Sequence, residues 1–219
     1  MLTTLRAYVA APAAALFLLS APVFSASVTV LPNAPETGTV VDLQVSDFQR
    51  VGNCGGGYSV INDGCSVVMK SDPTTKDAYG RFDPQNHGYW IDSQDIDELK
   101  WTVTSQTAFT SLTFALTDAH DQDNSHFTMS YYDGDSWSPI WGIATKQENG
   151  NLFWLSIAFD APVTMAELLF STKVGGGYDG YSISSVSIQP APVPLPPAAL
   201  LMLSGGAALA GLRRWKRRS

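Results

Sequence analysis

An acidic segment in the middle of the chain has the residue types of a cation-binding loop. Residues 116–125 (LTDAHDQDNS) lie between two predicted strands and are rich in side-chain oxygens. Ca²⁺ takes carboxylate and carbonyl oxygens as ligands, so this segment predicts a calcium site, with a solvated Asp/Asn turn as the alternative. The predicted ligands are Asp118, Asp121, Asp123 and Asn124; a second acidic cluster consists of Asp92, Asp95, Asp97 and Glu98.

Aromatic side chains beside turn residues are candidates for binding sugars, because the flat face of a ring can pack on the apolar face of a sugar. Trp137 and Trp141 stand beside Gly and Pro within residues 135–142, where we expect a loop or a hairpin tip. Alternation places other rings, such as Trp101 and Phe127, in the core instead. We therefore predict Trp137 and Trp141 as the glycan contacts.

The sequence singles out no catalytic centre. A GxSxG motif is absent, and the histidines at 87, 120 and 126 lack the HExxH spacing of helical zinc sites. Glycoside hydrolysis requires two carboxyl groups flanking the bond, and no pair among the 20 acidic residues stands out. We expect a protein that is not an enzyme and has no cofactor apart from calcium, with a secreted glycan-acting hydrolase as the alternative.

The two cysteines favour a disulfide. Cys54 and Cys65 enclose a Gly-rich stretch and lack the CxxC spacing of redox or metal pairs. In an exported protein their natural state is a disulfide that closes this small loop.

The C-terminal end of the chain has three parts. Residues 191–197 are rich in proline, residues 198–212 are uncharged and apolar, and residues 213–219 are basic. The apolar part is just long enough for a transmembrane helix, and its cationic end should stay in the cytoplasm. The basic tail contains Arg213, Arg214, Lys216, Arg217 and Arg218.

This layout resembles a known export signal. The residues Val193, Pro194, Leu195 and Pro196, followed by an apolar segment and an Arg-rich end, resemble the VPLPA-type C-terminal sorting signal of the PEP-CTERM class. That class occurs in Gram-negative bacteria that make extracellular polysaccharide. In the fifth position the chain has Pro197 where the family has Ala. The resemblance implies recognition by an exosortase, a membrane-embedded cysteine transpeptidase, near the proline-rich motif.

The N-terminal end has the features of a signal peptide. Arg6 is the only charged residue before Glu36, and residues 7–19 form an apolar run. Val23 and Ser25 occupy the −3 and −1 positions of a predicted cleavage point after Ser25, and both side chains are small enough for it. Cleavage after Ala26 is the alternative. We expect residues 1–25 to be removed on export across the inner membrane.

The segment between the two ends, residues 26–190, is strongly acidic and patterned for strands. It holds all 20 Asp and Glu but only seven of the 13 Lys and Arg, a net charge of −13 with neutral His, which disfavours a nucleic-acid partner. About ten short alternating runs with frequent turn signals predict a single all-β domain, a β-sandwich or jelly roll. Residues 161–170 are the one stretch whose composition also suits a helix.

These features together predict an exported protein, briefly anchored in the inner membrane by residues 198–212 and then placed on the cell surface or in the extracellular matrix. Its expected partners are an exosortase and an exopolysaccharide. We expect a non-catalytic binding or structural module for polysaccharide. The alternatives are the secreted hydrolase and a purely structural or adhesive surface protein.

Overall fold

The computed structural model of the chain describes residues 25–35, 37–54, 66–71, 76–77, 80–85, 88–123, 126–172 and 179–193. Several predicted features lie outside these residues: nearly all of the signal peptide, the transmembrane helix, the basic tail, and Cys65, Asn124, Pro194, Leu195, Pro196 and Pro197. The predicted signals, the Cys54–Cys65 disulfide and the transmembrane helix therefore stay predictions. The described part of the chain contains no helix that is long and apolar enough to cross a membrane.

The described residues form strands and one short 3₁₀ turn, Val45–Asp47, and contain no α-helix. Two strands, β6 and β9, are each twenty residues long, whereas the others have nine residues or fewer. The strands are β1 Ala26–Leu31, β2 Thr39–Val40, β3 Phe48–Arg50, β4 Val68–Lys70, β5 Trp90–Asp92, β6 Glu98–Thr117, β7 Phe127–Tyr132, β8 Trp137–Ile143, β9 Leu152–Ser171 and β10 Ser182–Pro190.

All ten strands belong to one antiparallel sheet that is built around the pairing of β6 with β9. The order along the sheet is β4-β5-β10-β6-β9-β7-β8, while β1 joins β9, β2 joins β10 and β3 joins β6. The first half of β6 pairs with the second half of β9, and the ladder shifts register around Phe109. Each long strand thus has two arms, and each arm has its own outer neighbours.

The long strands fold back on themselves at this register shift. Trp101 and Phe114 lie thirteen residues apart on β6, about 43 Å in a straight strand, yet their ring centroids are 5.3 Å apart. Phe170 on the second arm of β9 also contacts Phe114, at 6.1 Å between centroids. Aromatic rings of the two arms therefore face each other and fill the space between them, with fully buried Phe109 beside the bend.

The sequence-based prediction of an all-β domain with about ten strands is confirmed. Two differences concern length: the alternating runs at 99–105 and 111–116, each of which predicts a short strand of its own, are both parts of β6, and those at 152–159 and 165–171 are both parts of β9. Residues 161–170 are strand, because their side chains alternate against the paired β6 rather than following a helical period. Residues 40–45 provide only the end of β2 and then leave the sheet.

Replacing Trp101 should destabilise the whole domain. Its ring is 1% exposed and stacks on Phe48 at 5.5 Å between centroids, besides its contact with Phe114. We expect Trp101→Ala to lower the free energy of unfolding by about 3–5 kcal/mol, because it removes a large side chain and leaves a cavity. Urea unfolding followed by circular dichroism measures this. The matched control is Trp137→Ala, whose ring is 37% exposed; equal losses in the two variants would contradict the assigned core.

Candidate functional site

A buried guanidinium gathers acidic residues from two separate segments. The Arg81 side chain is 8% exposed, and its Nη1 donates to Asp92 Oδ1 at 2.8 Å. Its Nη2 donates to Asp95 Oδ1 at 3.0 Å, and its Nε lies 3.5 Å from Asp118 Oδ2. A buried carboxylate is tolerated only with a paired charge, so Arg81 is what allows Asp92 and Asp118 to lie inside the fold. We call these four residues the Arg81 cluster.

Lys70 extends the Arg81 cluster towards solvent. Its Nζ lies 2.6 Å from Asp92 Oδ2 and 3.2 Å from Asp77 Oδ2. The same ammonium lies 4.9 Å from the centroid of the Trp90 ring, within the range of a cation–π contact. Each carboxylate oxygen of Asp92 thus contacts one cation, and these two positive charges compensate the complete burial of the residue.

The backbone is strained where it borders the Arg81 cluster. The residues Gln94, Asp95, Asp118 and His120 all have φ between 54° and 62°, a region that residues with a side chain rarely adopt. Gly180 leaves the room that the guanidinium needs, since a Cβ there would lie 1.9 Å from Arg81 Nη2. Strain of this kind persists only where the surrounding structure fixes it, which here is the network of ion pairs.

Next to the Arg81 cluster, two carboxyl groups touch each other. Asp179 is 3% exposed, and its carboxyl group is hydrogen-bonded to that of Asp121. The backbone N–H of Asp121 also donates to Asp179 Oδ2 at 2.8 Å. Burial, together with the charge of Asp121, raises the pKa of Asp179 to about 8. Two carboxylates in contact repel each other, so this pair holds a proton at neutral pH.

The pKa of Asp118 is raised as well. Burial raises the pKa of Asp118 to about 7, and the nearby charge of Asp121 adds to the rise. The Gly150 N–H, which donates to Asp118 Oδ1 at 2.9 Å, and the Arg81 guanidinium oppose it. Asp118 therefore changes charge in the neutral range.

The described residues of the predicted calcium site have different partners. Asp118 faces Arg81, Asp121 faces Asp179, and Asp123 forms an exposed ion pair with Lys146 at 3.1 Å. Among the residues that the structure describes, no group of three or more His, Cys, Asp or Glu is arranged to hold a metal ion. Calcium binding in this segment stays a prediction.

The predicted glycan contacts lie on a strand instead of a loop. Trp137 and Trp141 both belong to β8, and the turn before it is formed by residues 133–136. Trp137 lies opposite Tyr132 and Trp141 lies opposite Met129, with a register shift between these pairs. Residues four apart on a regular strand share a face, but the extra residue at this shift sends the two rings to opposite faces.

Only Trp137 has the surroundings of a ligand contact. Its ring packs against Tyr132 with 5.2 Å between centroids and remains 37% exposed. Trp141 packs on Phe127 and Phe153 at 6.0 and 5.4 Å and belongs to the margin of the core. The expectation that both rings lie at an exposed tip is therefore wrong, because the bulge turns Trp141 inward.

A groove of about 360 Å³ is lined by Tyr132, and Trp137 adjoins it through its ring contact with that tyrosine. Its floor and far wall come from the segment of β9 at the bend, including Pro162 and Met165, and the latter is 53% exposed. Two carboxylates line it: Asp133 at the hairpin turn and Glu167 on β9. Hydrogen bonds from the backbone N–H groups of residues 135 and 136 hold the pKa of Asp133 below its usual value, so this group stays ionised. We call this feature the Trp137 groove.

Sequence reasoning missed the groove and the two residues that organise the buried charges. Arg81 follows a glycine in a turn-rich stretch and carries no motif. Asp179 lies in a Gly-rich turn far along the chain from Asp121, and only the fold brings them together. The cluster at Asp92 and Asp95 was visible as an acidic run, although its partner is a cation of the protein itself.

The chemistry of the Asp121–Asp179 pair differs from that of a glycosidase pair. Retaining glycosidases separate their two carboxyl groups by about 5–5.5 Å and inverting ones by about 6.5–9.5 Å, to admit the sugar or a water. Carboxyl groups that are hydrogen-bonded to each other leave no such space. The pair can exchange a proton, but a glycosidic bond does not fit between its members.

The comparisons with known proteins do not identify the chain. No protein-family model matches it, and no curated protein matches it. Among solved structures it is similar to the enzymatically active domain of tailspike protein 4 of bacteriophage CBA120, at 15% sequence identity and a TM-score of 0.23. The match covers 77% of this chain and 19% of the tailspike chain, so the chain spans about a fifth of that structure. A likeness of this size supports no statement about activity.

Removing the cation of the Arg81 cluster should cost far more than removing an exposed one. We expect Arg81→Met to lower the free energy of unfolding by about 3–5 kcal/mol, because buried Asp92 would keep only Lys70 as a cation and buried Asp118 would lose the guanidinium that faces it. The matched control is Lys146→Met, which breaks the exposed pair with Asp123 and should cost less than about 1 kcal/mol. Urea unfolding at constant pH measures both, and a loss of equal size in both would refute a stabilising role for Arg81.

The stability of the protein should depend on pH through Asp118 and Asp179. Both have a raised pKa in the folded state, about 7 and about 8 against 3.8 in the unfolded chain, so the folded state binds more protons. Their contribution is complete below pH 4 and is lost as pH rises towards 8, so the unfolding free energy should fall over this range.

The double variant Asp118→Asn and Asp179→Asn should remove most of that fall. Unfolding curves at several pH values between 4 and 8 test this, with Asp123→Asn, whose side chain is 79% exposed, as the control for losing a carboxylate. An unchanged pH dependence in the double variant would show that other groups are responsible.

Proposed function

We propose that this chain is an exported, non-catalytic module that binds polysaccharide at the cell surface or in the extracellular matrix. The observation that carries the proposal is the Trp137 groove, a cleft of about 360 Å³ that Tyr132 lines, with the exposed indole of Trp137 packed on that tyrosine. Aromatic rings with one apolar face free offer a surface on which a sugar ring can pack at little entropic cost. The VPLPA-like C-terminal signal supports the location, through sorting by an exosortase.

The charge of the module favours a neutral or amino-sugar polymer over an acidic one. Asp133 is ionised at the groove, and Glu167, which lines it, is paired with Lys100 at 3.1 Å. Residues 26–190 carry a net charge of −13, so a chain of uronic acids would be repelled. A polymer with free amino groups would gain attraction at the same place.

We also propose that the two arms of the folded sheet act as the layers of a β-sandwich. Inward rings of β7 and β9 and the ring of Tyr181, just before β10, support this description, since Phe127, Phe170 and Tyr181 pack on one another between the arms. Such a framework holds the β7–β8 hairpin rigidly, which suits a binding module.

A secreted hydrolase is the second candidate, and a purely structural or adhesive surface protein is the third. The hydrolase is favoured by one observation, the proton that Asp179 holds beside Asp121, because a raised pKa is what a general acid needs. The contact between the two carboxyl groups speaks against a glycosidase. A purely structural protein needs no ligand groove, and this candidate predicts that no glycan binds saturably.

Binding to defined glycans tests the proposal. The purified chain should bind the producer's own exopolysaccharide, and among model polymers it should prefer chitosan or dextran over alginate. We expect Tyr132→Ala and Trp137→Ala to weaken binding by about tenfold or more, equivalent to about 1.4 kcal/mol. Isothermal titration calorimetry measures the affinity, and release of reducing ends from the same polymers measures hydrolysis.

Tyr89→Ala is the matched control, because this tyrosine is 57% exposed and lines a different groove. It should bind as the wild type does. If no polymer binds, the result supports a structural or adhesive protein. If reducing ends are released and their release depends on Asp179, the result supports the hydrolase. Binding that is lost with Tyr89 and kept without Trp137 would place the site elsewhere.

A further inference from the structure

One buried carboxylate in the described structure has no partner at all. Asp97 is 1% exposed, and neither of its carboxylate oxygens accepts a hydrogen bond or lies in an ion pair with a described residue. Its backbone is well held, since its N–H donates to the Asn53 carbonyl at 2.9 Å. The backbone is therefore held in place while the carboxylate has no cation among the described residues, unlike the carboxylates of the Arg81 cluster.

A second polar atom without a partner lies across from it. Thr172 is also 1% exposed, and its hydroxyl makes no hydrogen bond within the described structure. Its N–H donates to the Asp97 carbonyl at 2.8 Å, which continues the β6–β9 ladder one residue beyond the pair Glu98 and Ser171. Residues opposite each other in an antiparallel ladder point to the same face. Asp97 and Thr172 thus share the inward face of the buried pair Leu99 and Phe170.

A glycine at position 52 leaves room for the Asp97 carboxylate. A Cβ on Gly52 would lie 1.8 Å from Asp97 Oδ1, so only glycine fits at that position. The Gly52 N–H is held by the Glu98 carbonyl at 3.1 Å, which keeps the close approach in place. The Gly52 backbone and the Thr172 side chain therefore border an acid whose carboxylate has no hydrogen-bond partner among the described residues.

A buried ionised carboxylate without compensation costs several kcal/mol or more, so a fold keeps one only if something neutralises it. A water molecule would supply hydrogen bonds and leave the charge. A hard cation would satisfy the carboxylate and the hydroxyl together, since both are oxygen ligands, with backbone carbonyls such as that of Asn53 completing the shell.

We propose that Asp97 and Thr172 bind a hard cation of the Ca²⁺ type at the end of the β6–β9 ladder. The site is separate from the Trp137 groove and does not depend on the proposed function. With one carboxylate it resembles a weak extracellular site, for which a dissociation constant of about 10⁻⁴–10⁻³ M is typical. Its role is to hold the ends of the two long strands together after export.

The test uses the full-length chain in mild detergent, first with EDTA and then with Ca²⁺ as the probe. Isothermal titration calorimetry should show one bound Ca²⁺ per chain, and Ca²⁺ should raise the melting temperature. The variants Asp97→Asn and Thr172→Val keep the shapes of their side chains. We expect Asp97→Asn to weaken Ca²⁺ binding by about tenfold or more and to remove the rise in melting temperature, and Thr172→Val to weaken binding to a smaller extent.

Asp123→Asn is the matched control, because it removes an acid that is 79% exposed, and it should leave Ca²⁺ binding unchanged. Asp121→Asn separates this site from the loop at 118–124. If Ca²⁺ binding survives in Asp97→Asn and is lost in Asp121→Asn, the proposal is wrong and the loop is the site. If wild-type protein neither binds Ca²⁺ nor gains stability from it, the proposal is also wrong.

Discussion

The pairing of β6 with β9 is the constraint on which the rest of the structure depends. Each strand is twenty residues long and bends at the register shift around Phe109, so each contributes to both arms of the sheet. The neighbours β1, β3, β7 and β10 attach to particular arms of these two strands. Because side chains alternate along a strand, a slip of one residue would expose Trp101 and Phe114 together.

The same bend and the same strand ends determine where polar chemistry lies. The bend of β9 forms one wall of the Trp137 groove. Asp97 directly precedes β6 and Asp118 directly follows it, and each is buried at a point where regular pairing stops. Asp118 forms an ion pair with Arg81, whereas the Asp97 carboxylate has no partner among the described residues. Of these two similar acids, Asp118 is neutralised by a cation of the protein itself. Asp97 needs a partner from outside the described chain.

The sequence predicted what depends on local alternation and missed what depends on distant residues. The class and number of strands followed from period-two patterns, as in Phe127, Met129 and Tyr131, which are all buried. The merging of four predicted strands into β6 and β9 could not be foreseen, since polar residues around position 107 look like a turn but continue through a bend. Trp141 was misplaced because a single bulged residue reverses the face of a strand, and no composition signals it. Arg81 was missed because its acidic partners meet it only after folding.

The position of β10 has a consequence for the timing of folding. This strand is the last of the described chain, yet it lies inside the sheet between β5 and β6, and its end is fixed by the bond from the Ala191 N–H to the Ala108 carbonyl at 2.8 Å. The sheet cannot close until residues 182–190 have been synthesised, after all the other described strands. A polypeptide of this design stays open while those earlier strands are made. It then completes its core in one late step, only a few residues before the proline-rich segment begins.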